Sequence, residues 1–371
     1  MLNFEFYNPT RIVFGKDKVA ELARLVPPDA RVLVLYGGAS ARKTGTLDEV
    51  KAALGARTVT EFAGIEPNPT YETLMRAVEQ VRAEKVDFLL AVGGGSVIDG
   101  TKFVAAAACF DGEPWDILLK RGSNVQRAVP MGTVLTLPAT GSEMNNGGVV
   151  TRKATQAKLA FSSSHCFPQF SVLDPTKTYT LPREQIANGI ADAFVHTMEQ
   201  YLTYPVQALA QDRFAEGLLQ TLIEIAPGAL AETPDYDNRA NLMWTATLAL
   251  NGLIGAGVPQ DWATHMIGHE LTALYGIDHA RTLAIVLPSL MDSQRETKRE
   301  KLLQYAARVW QITEGSDDQR IDAAIARTRG FFESVGIPTR LSAYQLGGEA
   351  VDAVVKALTE HGMVKLGEQR E

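Results

Sequence analysis

The residues best suited to chemistry in this chain are an aspartate and four histidines between positions 192 and 279. Asp192 and His196 are four residues apart, as are His265 and His269, and His279 follows ten residues later. Two residues four apart on an α-helix share a face, so each pair can present two ligands to one ion. Imidazoles with one carboxylate suit Fe²⁺, Zn²⁺ or Co²⁺ better than Ca²⁺ or Mg²⁺. The pattern predicts a divalent-metal site.

These five residues exceed the four ligands of a tetrahedral site, so the spacing leaves open whether His265 or His269 binds the ion. A histidine one helical turn from a ligand can instead move a proton or lie beside a cofactor. The other two histidines, His165 and His361, have no partner at such a spacing, and we interpret them as structural.

A glycine-rich strand end predicts a phosphate-binding turn. The apolar run Val86–Val92 indicates a buried strand, Gly93–Ser96 follows it, and Ser96–Cys109 has helical spacing. Bare N–H groups at such a turn and the partial positive charge of a helix start can hold a phosphate. An ordinary strand-to-helix turn is the alternative, because Ile98 occupies the third glycine position of the usual dinucleotide fingerprint.

Side chains near this turn extend the predicted nucleotide site. Gly94, Gly95 and Ser96 are predicted cofactor ligands, although Ser96 can instead cap the helix. Asp99, one turn into the helix, is predicted to accept a hydrogen bond from a backbone or cofactor amide.

The end of an earlier strand bears on the choice of dinucleotide. That strand ends at Gly37, Gly38 and Ser40, which we predict to contact the cofactor. An acidic side chain at this position binds the ribose hydroxyls of NAD, and a carboxylate beside a 2′-phosphate costs roughly 4 kcal/mol at ~4 Å and an effective dielectric of ~20. The absence of an acid, with Arg42 and Lys43 just beyond, favours NADP. A solvated basic helix start explains these two cations equally well.

A third segment, Thr136–Glu143, is dense in hydroxyl groups. We predict that Thr136, Thr140 and Ser142 contact the cofactor. Thr140 and Glu143 also match a helix capping box, and this structural role is compatible with cofactor binding.

Strands and helices alternate in the first half of the chain, whereas the second half has only helical spacing. Continuous apolar strands that alternate with helices indicate a parallel sheet covered on both faces. The predicted fold class is therefore α/β plus all-α, with a boundary near 175–182 that gives domains 1–178 and 179–371. The predicted strands are 32–36, 58–62, 86–92 and 133–137; the predicted helices are 70–83, 96–109, 182–204, 205–230, 238–253, 261–275, 281–291, 298–313 and 319–335.

The composition and charge of the chain disfavour several kinds of partner and location. The 371 residues are 46% hydrophobic and 21% charged, with a net charge of −7, which disfavours nucleic-acid or anionic-membrane partners. The longest apolar run, Phe103–Phe110, is too short to span a bilayer. Two cysteines provide no disulfide framework, and no signal peptide is evident. We expect a cytoplasmic protein.

These motifs resemble those of the iron-containing (group III) alcohol dehydrogenases, in particular the butanol-dehydrogenase-like branch of NADPH-dependent aldehyde reductases. The resemblance runs nearly end to end, and the last two of its segments, with His279 fourteen residues after His265, are highly specific. One departure is Asp278-His279-Ala280, where many members have Pro-His-Gly; the aldehyde-reductase branch tolerates this form. The segments are Asn8–Gly15, Gly93–Asp99, Thr136–Glu143, Gly189–His196 and His265–His269.

The resemblance implies an N-terminal Rossmann-like domain and a C-terminal helical domain, with the active site in the cleft. It implies hydride transfer between NADP(H) and a primary alcohol/aldehyde pair, with one divalent metal, Fe²⁺ or Zn²⁺. It also suggests a homodimer in which Thr10–Phe14 pairs across the interface, although an ordinary edge strand is the alternative.

Residue by residue, the resemblance assigns the metal to Asp192, His196, His265 and His279. It leaves His269 as the catalytic residue beside the nicotinamide, where His269 or a nearby water delivers the proton. It places Asn145 and Lys158 near the ribose–nicotinamide end of the cofactor.

Three other functions are compatible with parts of the pattern. A glycerol-dehydrogenase-like polyol dehydrogenase and a dehydroquinate-synthase-like lyase belong to the same superfamily. A metal-dependent hydrolase without a nucleotide would use the histidine cluster alone, and the glycine triplet would then be turn chemistry.

Overall fold

The computed structural model describes residues 1–38, 40–155 and 157–369, and of Ser40 the backbone without the side chain. The chain divides into two units. Tyr7–Leu181 forms one, which we call the sheet unit, and Met1–Phe6 with the residues from Pro182 onward forms the other, which we call the helical unit.

The sheet unit is built on a parallel sheet. Within the described residues, six strands form this sheet in the order β1-β8-β5-β4-β2-β3, and β6 and β7 form a separate antiparallel pair. The predicted parallel sheet is thereby confirmed. The strands are β1 Arg11–Phe14, β2 Arg31–Tyr36, β3 Thr58–Phe62, β4 Phe88–Gly94, β5 Met131–Leu137, β6 Gly147–Arg152, β7 Ala157–Ser162 and β8 Phe170–Leu173.

Helices cover both faces of this sheet. Five of the six residues of β2 and six of the seven of β4 are buried, as expected for central strands with helices on either side. One face packs against α3, through Leu47 and Val50, and α5 packs against β4 and β5. The helices of this unit are α1 Leu22–Leu25, α2 Ser40–Lys43, α3 Thr46–Leu54, α4 Tyr71–Ala83, α5 Gly95–Ala108 and α6 Asp116–Leu119.

The helical unit surrounds one buried helix, α7. This helix is buried along most of its length and contacts α8, α9, α10 and α11. Within the described residues after Leu181 there is no strand, which confirms the predicted all-helical half. The helices are α7 Arg183–Tyr201, α8 Leu209–Ala229, α9 Tyr236–Ala249, α10 Ala263–Tyr275, α11 His279–Ser293, α12 Arg299–Arg308, α13 Asp317–Ser334 and α14 Gly348–Glu360.

Several predicted boundaries were wrong. The helix predicted from 205 starts only at Leu209, because Gln207 has a left-handed φ of 55°, and the helix predicted to reach 313 ends at Arg308, before Gln311 at φ 59°. The β6–β7 hairpin, β8, α3 and α14 were not predicted. In the part of the chain that the structure describes, no helix combines the length and apolar character needed to cross a bilayer.

Candidate metal centre and glycine-rich turn

The predicted metal ligands lie on three helices of the helical unit. Asp192 and His196 share one face of α7, His265 lies on α10, and His279 is the first residue of α11. The side chains of Asp192, His196 and His265 are 4%, 5% and 6% exposed, whereas that of His279 is 22% exposed. Three separate helices therefore bring four distant residues to one largely buried place.

The carboxylate of Asp192 is the common neighbour of the three imidazoles. Its Oδ1 lies 3.6 Å from His196 Nδ1, 3.8 Å from His265 Nε2 and 3.8 Å from His279 Nε2. One ligand atom from each of Asp192, His265 and His279 lies within 4.8 Å of the others, whereas His196 stands beside this group, with its ring stacked on that of His265 at a centroid distance of 4.6 Å. The assignment of His196 as a fourth ligand stays a prediction.

The chemistry of this cluster fits a divalent cation. Among the described residues, Asp192 Oδ1 and His265 Nε2 are buried atoms with no hydrogen-bond partner, and such atoms are costly unless something binds them. Two ligands that each lie about 2.1 Å from a tetrahedral ion are roughly 3.4 Å apart. The separations of 3.6–3.8 Å are close to this value. The donor set of nitrogen and oxygen suits Fe²⁺ and Zn²⁺.

Glu199, which was not among the residues predicted from the sequence, holds His265 in place. It lies on α7 seven residues after Asp192, on the same face, and is 3% exposed. One carboxylate oxygen accepts from the backbone N–H of His265 at 3.2 Å, and the other contacts the ring Nδ1. A proton on Nδ1 leaves the lone pair on Nε2, the atom that faces Asp192, for a cation. The spacing of Asp192, His196 and Glu199 on one helical face was a signal present in the sequence.

Burial and neighbouring charges act in opposite directions on this cluster. Burial raises the pKa of Asp192, but the imidazoles around it outweigh burial and hold this pKa well below its usual range. Burial lowers the pKa of His265, but the carboxylates of Glu199 and Asp192 raise it to about 9. A cation at His265 Nε2 would have to compete with a proton for that nitrogen.

His269, the fifth candidate, lies beside the cluster. It follows His265 by one turn of α10 and is 7% exposed. Its ring centroid is 5.1 Å from that of His279 and 6.2 Å from that of His265. The helix thus places an additional imidazole next to the group around Asp192.

The glycine-rich turn joins β4 to α5 in the sheet unit. A Cβ on Gly95 would lie 2.3 Å from Thr140 Oγ1, and a Cβ on Gly94 would lie 3.0 Å from Leu137. Glycine is needed at position 95, and position 94 is tightly packed, because the hydroxyl-rich segment passes directly over the start of α5. The N-terminus of a helix of 14 residues therefore lies beside hydroxyl groups, an arrangement suited to a phosphate.

Two predicted caps in this region were wrong. Ser96 is the second residue of α5 rather than its cap, and its hydroxyl accepts from the backbone N–H of Asn68 at 3.2 Å. Thr140 Oγ1 accepts from the backbone N–H of Ser142 at 3.2 Å instead of capping an α-helix. Gly141, at φ 62°, turns the chain into a short 3₁₀ helix, so the capping-box geometry does not form.

A fully buried lysine on α5, Lys102, binds the end of the hydroxyl-rich segment and the loop that follows it. Its ammonium group donates to Ser142 Oγ at 2.9 Å, to Asn145 Oδ1 at 2.9 Å and to the carbonyl oxygen of Gly147 at 2.7 Å. Lys102 is 0% exposed. Burial lowers its pKa to about 8, and the nearby Asp99 carboxylate acts against burial.

Asp99, one turn before Lys102, completes this network. Its Oδ1 accepts from the Ser142 hydroxyl at 2.5 Å, and its Oδ2 accepts from the backbone N–H of Val149 at 3.0 Å. Burial raises the pKa of Asp99, and Lys102 acts against this effect. The predicted contact of Asp99 with a backbone amide is therefore present. Asp99, Ser142 and Asn145 all belong to one network around Lys102.

Two other predicted cofactor residues lie on strands of the sheet unit. Lys158, on β7, donates from Nζ to Asn68 Oδ1 at 2.8 Å. Thr136, near the end of β5, is partly exposed. Their contacts with a cofactor stay predictions.

Two glycines, Gly37 and Gly38, directly follow β2. A Cβ on Gly37 would lie 3.1 Å from the carbonyl oxygen of Ile65, whereas a Cβ on Gly38 would meet no described atom within 4 Å. Arg42, predicted to lie near a 2′-phosphate, pairs with Glu61 at 2.9 Å. The prediction for the Ser40 side chain lies outside the described residues.

Sequence models of one enzyme family match both units. The model of the iron-containing alcohol dehydrogenase matches residues 9–175, and the model of the C-terminal part of the same family matches residues 186–366. Together these matches cover nearly the whole chain.

Individual relatives are similar along the full length of the chain. The NADPH-dependent aldehyde reductase YqhD of Escherichia coli strain K12 is 64% identical over 373 residues, covering 100% of this chain and 96% of that protein. A crystal structure of E. coli K-12 YqhD superposes with a TM-score of 0.98 and 64% identity, covering 99% of this chain and 95% of the other. The NADH-dependent butanol dehydrogenase A of Thermotoga maritima gives a TM-score of 0.94 at 35% identity, covering 98% and 92%.

Proposed function

Because the chain belongs to the iron-containing alcohol dehydrogenase family and is an oxidoreductase, we propose that it transfers a hydride between NADP(H) and a primary alcohol/aldehyde pair, mainly as an aldehyde reductase. The name of the 64% identical E. coli protein supports both an aldehyde as the substrate and NADPH as the cofactor. The Thermotoga relative is named for NADH, so family membership alone does not fix the dinucleotide. Gly38 carries no acidic side chain, and a Cβ there would meet no described atom within 4 Å, which supports NADP(H).

We propose Asp192, His196, His265 and His279 as ligands of one divalent cation, Fe²⁺ or Zn²⁺. The single observation that carries this proposal is the position of Asp192 Oδ1, buried and 3.6–3.8 Å from three imidazole nitrogens. A cation held there supplies Lewis acidity to a substrate carbonyl oxygen. Glu199 keeps a proton on His265 Nδ1, and so keeps Nε2 directed at the site.

His269 is the proposed proton donor in aldehyde reduction. Its ring lies 5.1 Å from that of the proposed ligand His279, and it is not itself needed to fill a tetrahedral set of ligands. An imidazole at this place can give a proton to the substrate oxygen and regain one from water.

The sheet unit is proposed to bind the dinucleotide, which supplies the hydride. The start of α5, with Gly94, Gly95 and Ser96, would bind the phosphates through backbone N–H groups and the helix dipole. Thr136, Thr140 and Lys158 are proposed to contact the cofactor directly, as are Gly37, Gly38 and Ser40. A nicotinamide held in a fixed orientation toward the substrate carbonyl carbon would make the hydride transfer effectively unimolecular.

Short aldehydes test the proposal. The protein is stripped of metal with a chelator, reloaded with Fe²⁺ or Zn²⁺, and assayed for NADPH oxidation with a series of aldehydes of increasing length. We expect oxidation that requires both the metal and the aldehyde. Equal oxidation in the stripped and reloaded protein would overturn the metal assignment, and no oxidation with either metal and any aldehyde would overturn the function.

The edge of the sheet and the two cysteines bear on assembly and location. β1 lies at an edge of the parallel sheet, and an edge strand can pair with a second chain, so we propose a homodimer. Cys109 and Cys166 are free thiols, which suits a reducing compartment such as the cytoplasm. Light scattering coupled to gel filtration checks the dimer: a mass of one chain at micromolar concentration would contradict it.

The other functions compatible with the sequence are not favoured. The match of residues 9–175 in the sheet unit to the dehydrogenase family disfavours a hydrolase that binds no nucleotide. The polyol dehydrogenase and the lyase are less consistent with a relative that is 64% identical and is named an aldehyde reductase.

A further inference from the structure

We propose that Lys102 is a positioning residue of the nucleotide site: its ammonium group fixes the segment Thr140–Gly147 over the start of α5 and thereby sets the affinity for NADPH. This inference rests on the proposed function, in which the start of α5 binds the phosphates of the dinucleotide.

Lys102 is placed to organise the site and not to bind a phosphate itself. A protonated lysine has three N–H donors, and all three are used, by Ser142, Asn145 and Gly147. The side chain is 0% exposed. A phosphate could reach this ammonium group only if the loop opened and these three hydrogen bonds broke.

The three acceptors of Lys102 lie at the beginning, middle and end of the six-residue loop Ser142–Gly147. Ser142 lies two residues after Thr140, which packs against Gly95, and Gly147 is the first residue of β6. Between them Asn145 is held from both sides, because Oδ1 accepts from Lys102 and Nδ2 donates to the carbonyl oxygen of Gly141 at 2.9 Å. A change at Lys102 therefore moves the loop as a whole relative to the helix start.

The charge of Lys102 is also matched by a carboxylate on the same helix. Asp99 accepts from the Ser142 hydroxyl, and Ser142 Oγ accepts from Lys102, so the hydroxyl links the two charged groups. Removing a buried charge while leaving its partner is costly. Asp99, Ser142 and Asn145, predicted from the sequence to contact the cofactor, are thus assigned here to hold the loop in shape.

The test compares Lys102→Met with the wild-type enzyme loaded with metal. NADPH affinity is measured from its fluorescence on binding, together with metal content and the KM values for NADPH and aldehyde. We expect the Kd and KM for NADPH to rise at least about tenfold, which corresponds to ~1.4 kcal/mol, with unchanged metal content and aldehyde KM. Lys301→Met is the matched control, because Lys301 is 4% exposed and pairs with Asp212 at 2.6 Å in the helical unit. This control should leave the Kd for NADPH unchanged.

A second measurement needs no variant. Hydrogen exchange of the wild-type enzyme without nucleotide should show protected amides at Gly147, which donates to Asn145, and at Val149, which donates to Asp99. Rapid exchange there, as in an open loop, would overturn the inference even if Lys102→Met fails to fold. If that variant fails to fold, Lys102→Gln, which keeps two donors without the charge, takes its place in the comparison.

The outcomes separate this inference from the proposed function. A Kd for NADPH within twofold of the wild-type value in a folded Lys102 variant would show that Lys102 only fills the core, and the proposed function would stand. A wild-type enzyme that binds no NADPH would instead remove the proposed function.

Discussion

Replacement of Glu199 by glutamine should weaken metal binding about 10- to 100-fold. Both carboxylate oxygens of Glu199 accept from His265, one from the backbone N–H and one at the ring Nδ1. A glutamine amide has one acceptor oxygen and one NH₂ group, so one of the two N–H groups of His265 would face another donor. Glu199→Gln thus changes the orientation of His265 while the volume of the side chain stays nearly constant.

The size of the effect follows from the interaction that is lost. A hydrogen bond to a charged group contributes roughly 1.5–3 kcal/mol, and about 1.4 kcal/mol corresponds to a factor of ten in a dissociation constant. The resulting range of about 10- to 100-fold is also the usual cost of removing an outer hydrogen-bond partner from a metal-bound histidine.

A competition titration measures this effect directly. The stripped wild-type and Glu199→Gln proteins are titrated with Zn²⁺ and with Co²⁺ against an indicator chelator, and the Co²⁺ absorption spectrum reports the coordination number. The matched control is Glu216→Gln, because Glu216 is 4% exposed and accepts from Tyr201 and Gln304, neither of which is a proposed metal ligand. The control should lose stability and keep its metal affinity. Equal metal affinities for Glu199→Gln and the wild-type protein would refute the role of Glu199.

Three further predictions concern the same two sites. His265→Ala should lose the metal, whereas His269→Ala should keep the metal and turn over about 10²- to 10⁴-fold more slowly, as expected for loss of a proton donor. Metal analysis and kcat are measured for both variants. Normal metal content in His265→Ala would contradict the ligand assignment. Removal of the metal with a chelator should lower the melting temperature, because a metal at 100 times its Kd stabilises the folded protein by about 2.7 kcal/mol. An unchanged melting temperature in calorimetry would contradict a bound ion. Gly38→Asp, at a position where a Cβ would meet no described atom within 4 Å, should reduce kcat/KM for NADPH at least about tenfold and spare NADH. The reason is that a carboxylate beside the 2′-phosphate costs a few kcal/mol. Equal losses with both dinucleotides would contradict the proposed NADPH preference.

The central strands β2 and β4 were predictable because each is largely a continuous apolar run. β2 and β4 are buried on both faces, and such strands need no polar alternation. The hairpin of β6 and β7 was missed because apolar and polar residue types do not alternate regularly along either strand, although residues 147–150 of β6 do alternate in burial. α14 was missed although Ala350, Val354 and Ala357, its buried residues, do follow a helical spacing.

The residues grouped around Asp192 were predictable because helical spacing brings pairs four apart to one face. The residues that organise the two sites were harder to find. Glu199 acts on His265, 66 positions away, and Lys102 acts on Ser142, 40 positions away. No local pattern shows which distant segment a buried glutamate or lysine will meet, because tertiary packing decides it.

Anomalous diffraction at the metal edge, from crystals of the metal-loaded enzyme, tests the central claim most directly. On the proposed ligand assignment, one strong peak should lie within about 2.0–2.3 Å of Asp192 Oδ1, His265 Nε2, His279 Nε2 and a ring nitrogen of His196. A peak bound by other residues, or none at these atoms in crystals of active enzyme, would contradict it.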